Sequence, residues 1–121
     1  MKIRIKDDSI RLRLTHTEVN DLVQSNKVHS QCQISFNSNF CYEITTGKNW
    51  LVTTAANTMQ IEIPKILISD WDINQTVGFE TLIDNGSKGL KVLIEKDFKC
   101  LTPRNENEED HYENPLNQHN C

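Results

Sequence analysis

Long apolar runs are missing from this sequence. No stretch approaches the roughly 20 residues that a membrane-spanning helix needs, and the opening MKIRIKDDS has no leader-like apolar core. The expected setting is the cytoplasm, without a membrane partner. The four cysteines are then expected to stay reduced, outside any disulfide framework. Glycine is equally scarce, at four residues, and none are grouped into a phosphate-cradling loop. A G-x-S-x-G elbow and an H-E-x-x-H helix are both absent. A Cys–His pair can be drawn only by joining Cys100 to His16 or His111, which nothing in the sequence brings together. The reading therefore leans away from an enzyme. Positive charge is not in excess either, since the net charge of −4 argues against bulk nucleic-acid binding.

What is present is alternation. KIRIK (2–6) and SIRLRL (9–14) flank Asp7-Asp8 and predict a hairpin. Keeping the aliphatic residues on one face sets Ile5 opposite Ile10 and Ile3 opposite Leu12. The same register sets Arg4 opposite Arg11 and Lys2 opposite Arg13, which places like charges across the ladder at a cost of a fraction of a kcal/mol per pair. Thr15 followed by Glu18 is a capping box and predicts a helix over 16–25, with Val19, Leu22 and Val23 as its apolar stripe.

Further strands are predicted over 28–36, through FCYEITT, near 50–54 and in TMQIEI. In the first of these Val28, Ser30, Cys32, Ile34 and Phe36 form the buried face, which makes Cys32 a core residue. Cys32 and Cys41 point to opposite faces. Pro64 suits the first position of a second short helix in PKILISDWD. VGFETLID and GLKVLIEKD then pair through Asn85-Gly86. The sum is an α+β domain, with an antiparallel, strongly bent sheet or small barrel of about seven to eight strands and two short helices. No internal repeat is apparent.

Charge divides the chain. Residues 1–102 are balanced and form the predicted single domain. Residues 103–121 set Arg104 against Glu106, Glu108, Glu109, Asp110 and Glu113 and carry the whole excess. This acidic, Asn/Glu-rich tail is expected to dock on the body, with Tyr112, Pro115 and Leu116 as anchors.

Two binding surfaces follow. Lys2, Arg4, Arg11 and Arg13 share one face of the first hairpin, and the planar guanidinium fork suits carboxylate or phosphate. The expected partner is an anionic small molecule or an acidic protein segment. Alternatively Cys100, His111, His119 and Cys121 supply two thiols and two imidazoles, a donor set for tetrahedral zinc or another transition metal. Their spacing contains no C-x-x-C or H-x-x-x-H.

KIRIKDDSIRLRLTHTEV (2–19) and GLKVLIEKDFKCL (89–101), followed by the acidic run and Asn114-Pro115, resemble a family of small bacterial proteins of unknown function. The resemblance covers about a third of the chain, at its two ends. It implies that the basic hairpin and the acidic tail belong to one self-contained domain, and it brings no activity, cofactor or catalytic residue.

Overall fold

The structure, a computed structural model, describes residues 1–98 together with Asp110 and Tyr112. The first hairpin forms as its alternation requires. β1 (Lys2–Lys6) and β2 (Ser9–Leu14) pair antiparallel, with Ile5 opposite Ile10, Arg4 opposite Arg11 and Lys2 opposite Arg13. α1 (His16–Ser25) begins at the expected capping box. The Thr15 side chain accepts from the Glu18 backbone while the Glu18 carboxylate accepts from Thr15 N–H at 3.0 Å.

The second hairpin joins β3 (Lys27–Ser35) to β4 (Ser38–Gly47), and the third joins β5 (Leu51–Ala55) to β6 (Thr58–Pro64). α2 (Lys65–Ile68) is a single turn, and Pro64 ends the preceding strand instead of opening the helix. β7 (Gly78–Ile83) and β8 (Leu90–Lys96) form the fourth hairpin, with Asn85 and Gly86 in the loop between them.

Among the described residues, eight strands and two helices match the expected inventory, but their arrangement differs. The strands form two sheets, β1-β2-β8-β7 and β3-β4-β6-β5, and neither closes into a barrel. Each sheet is mixed, because the inner strands β2 and β8, and β4 and β6, run parallel. Alternation identifies each hairpin. It does not say which hairpins become neighbours, since that depends on burial between distant segments.

The pairing map also contains a repeat that the sequence hides. Exchanging β1β2α1β3β4 for β5β6α2β7β8 turns one sheet order into the other. The registers agree residue by residue: Lys2 with Arg13 becomes Leu51 with Glu62, and Leu12 with Ile94 becomes Ile61 with Ile44. Both first turns carry a left-handed residue, Asp7 (φ 51°) and Ala56 (φ 54°). Lys91 N–H donates to Asp8 as Cys41 N–H donates to Asn57. What repeats is burial. Ile10, Leu12, Leu14, Val19 and Leu22 correspond to Met59, Ile61, Ile63, Ile68 and Trp71, and all ten lie in one hydrophobic core. The outward residues do not repeat, so the sequence shows no self-similarity.

Cys32 is exposed, not in the core. The pairing of β4 with β6 starts at Cys41 and Thr58, so the end of the β3–β4 hairpin projects beyond the sheet. Ile34 and Phe36 stand in solvent with it. No helix among the described residues is long and apolar enough to cross a membrane.

Candidate anion-binding face

On β2 the aliphatic residues point inward, so Ser9, Arg11 and Arg13 point outward, and the ladder extends this face in rows. One row runs Lys6, Ser9, Lys91 and Leu82 across β1, β2, β8 and β7. The next runs Arg4, Arg11, Leu93 and Glu80, and the third Lys2, Arg13, Glu95 and Gly78. Strand spacing of about 4.8 Å places the basic side chains within mutual reach.

The structure brings all four predicted anion-binding residues to this face and divides them into two groups. Arg11 Nε and Nη2 both reach Glu95 Oε1, and Arg13 Nε lies 3.4 Å from the same oxygen. Arg13 Nε is also 3.7 Å from Asp97 Oδ1, and Lys2 Nζ is 3.4 Å from Asp97 Oδ2. Glu95 and Asp97 are both buried, so this end of the face is an ion-pair network. Sequence reasoning did not find these two partners, because the parallel pairing of β2 with β8 is what delivers them. Gly78 leaves room for the network: a Cβ there would lie 2.6 Å from the Glu95 Cβ.

The turn end differs. Arg4, Lys6, Arg11, Lys88 and Lys91 line an open concavity of about 860 Å³, shared with Asp7, Asp8 and Ser9. Among the described residues Arg4, Lys6 and Lys88 take no ion pair, while Lys91 meets Glu80 at 3.1 Å.

Asp110 and Tyr112 touch the body at the opposite end. Asp110 supplies its carbonyl to His16 N–H at 2.9 Å and its carboxylate to Thr17 N–H at 3.0 Å. With the Thr15 hydroxyl accepting from Glu18 N–H and the Glu18 carboxylate from Thr15 N–H, the four backbone donors left over at the start of α1 are all satisfied. Burial raises the Asp110 pKa, but hydrogen bonds from Thr15 and Thr17 and the nearby His16 outweigh it and hold the carboxyl below its usual range. Tyr112 N–H donates to Asp97 O at 2.8 Å, and its ring packs on His16 and Phe98. Lys96 Nζ sits 4.8 Å from the Tyr112 ring and 5.9 Å from that of Trp71, donating to Asn74 O at 2.8 Å. Burial pushes this ammonium down, partly opposed by Asp72.

The predicted metal donors Cys100, His111, His119 and Cys121 all lie outside the described residues. Among the described residues no group of three or more His, Cys, Asp or Glu side chains could hold a metal.

A family of unknown function, DUF7009, matches residues 1–116. The chain belongs to DUF7009. The DUF7009 span takes in the basic hairpin, Asp110 and Tyr112, but ends before His119 and Cys121. No curated protein and no solved structure matches the chain.

Proposed function

We propose that this DUF7009 member is a non-catalytic binding module of the bacterial cytoplasm that holds an anionic small molecule at the turn end of the first sheet. Arg4 and Arg11 are its central contacts, supported by Lys6, Lys88 and Lys91. Lys2 and Arg13 fix the face through Glu95 and Asp97.

One observation carries this reading. The second sheet is the same architecture with the basic residues removed: Arg4, Arg11 and Arg13 correspond to Thr53, Gln60 and Glu62. The fold therefore does not require arginine at these positions. Although Glu95 offsets Arg11, the charges of Arg4, Lys6 and Lys88, which take no ion pair among the described residues, favour an anionic ligand beside it. The concavity falls within the roughly 300–1,000 Å³ of small-molecule sites, which favours a small anion over an extended acidic segment.

The test is an NMR titration with inorganic phosphate at low ionic strength. Saturable shifts are expected around Arg4 and Arg11, with affinity falling as salt rises. Arg4→Ala should weaken binding about tenfold, as loss of a charge-assisted hydrogen bond does. Salt-independent affinity, or an Arg4→Ala, Arg11→Ala variant that binds like the parent, would rule the reading out.

A further inference from the structure

The basic rows do not end in solvent; they run into leucine. Leu93 follows Arg11 across the ladder, and Leu82 follows Lys91. Leu82 is 69% exposed on the outer face of a strand. A second depression of about 450 Å³, lined by Glu80, Thr81, Leu82 and Lys91, shares Lys91 with the cationic concavity. Gly89, at φ 99°, passes so close beneath Leu82 that a Cβ there would approach its Cδ1 to 2.9 Å.

The internal repeat again provides the control. In the second sheet Leu82 and Leu93 correspond to Gln31 and Glu43. The first sheet thus differs from its counterpart in two respects at once, added cations and added apolar surface, and the two adjoin. Glu80 lies beyond Leu93 in the same row and meets Lys91 at 3.1 Å, so no unpaired cation among the described residues stands at the far end for a second negative group. The face is basic over β1 and β2, and beyond it the two leucines stand on either side of the Lys91–Glu80 ion pair.

We infer that the ligand is a soluble phosphate monoester with an uncharged apolar body, its phosphate over Arg4 and Arg11 and its body over Leu93 and Leu82. This rests on the anion-binding reading and narrows it. Three cations without ion pairs among the described residues, Arg4, Lys6 and Lys88, suit a dianionic phosphate better than a single carboxylate. Asp7 and Asp8 at the rim favour a phosphate seated inward, beside the leucines, over one seated at the turn.

The experiment compares inorganic phosphate with phenyl phosphate by NMR titration of the full chain, its Leu82→Asn variant and its Arg4→Ala variant. Phenyl phosphate should bind the parent about tenfold tighter than inorganic phosphate and shift the Leu82 and Leu93 resonances. Leu82→Asn should abolish that advantage while leaving inorganic phosphate unchanged, and Arg4→Ala should weaken both. Because Leu82 is exposed, its replacement leaves the core untouched; Leu93→Thr is the second variant. Equal affinities for the two anions, or no effect of either leucine variant, overturn the inference and leave the anion site standing. Binding of neither anion overturns both. Association only with phosphatidate-containing vesicles overturns the soluble ligand in favour of a lipid surface.

Discussion

Asp110 shows how much one residue from the acidic tail does for the body. It caps the first two backbone donors of α1, a role that costs about 1 kcal/mol when lost at a helix N-terminus. Its carboxyl is held below the ordinary range in the fold, so its contribution is complete above the unfolded-state pKa and disappears as pH falls through the folded one. Asp110→Asn keeps an acceptor for Thr17 and removes only the charge, so it should lower stability in urea at pH 7 by about 0.5 kcal/mol, and the gap from the parent should close as pH falls through the folded-state pKa of Asp110. A gap that stays constant with pH would show that the carboxylate charge is not what matters.

Ala56 makes the opposite case, since its left-handed backbone costs a side chain about 1 kcal/mol. Ala56→Gly should raise stability by about 0.5–1 kcal/mol, the gain being reduced by the greater freedom of glycine in the unfolded chain. Asp7→Gly, at the matching turn, should gain less because Asp tolerates this region better. Equal gains in paired urea melts would contradict that account.

Elements were legible in the sequence wherever their determinants are local. Thr15 and Glu18 announce α1 within four residues, and the aliphatic pattern of the first hairpin admits one register. The β3–β4 hairpin was legible as a hairpin, but its alternation misled about burial. Val28 sits over the core, whereas Cys32 lies past the last residue of β4 that β6 supports, and a register shift between Gln33 and Ser35 breaks the alternation before the exposed Ile34 and Phe36. Periodicity states which residues share a face; only the neighbouring strand decides whether that face is covered. Cys32 is accordingly expected to react with iodoacetamide in the native protein at a rate close to that in urea. Cys32→Ser should change stability by no more than about 0.5 kcal/mol. Slow alkylation with a cost of several kcal/mol would return Cys32 to the core.

At the scale of the whole molecule the folding problem is one of pairing hairpins from opposite ends of the chain. β2 reaches β8 and β4 reaches β6, so neither sheet is complete until segments from both halves have met. That pairing carries Glu95 and Asp97 to the arginines, which is why the cationic face could be read from residues 2–13 while its internal partners could not. The buried residues of both sheets belong to a single core, and the Tyr42 hydroxyl ties the second sheet to the Met1 carbonyl at 2.7 Å. A shared core implies shared cooperativity. Leu12 and Ile61 hold equivalent places at the two parallel seams and are both fully buried. Leu12→Ala and Ile61→Ala should each cost about 2–5 kcal/mol. Native-state hydrogen exchange should show either substitution lowering the protection of β4, β6, β2 and β8 amides together. If Leu12→Ala loosens β2 and β8 while β4 and β6 keep the parent's protection, the two sheets are separate cooperative units, and the repeat is two folded bodies side by side instead of one exchanged pair.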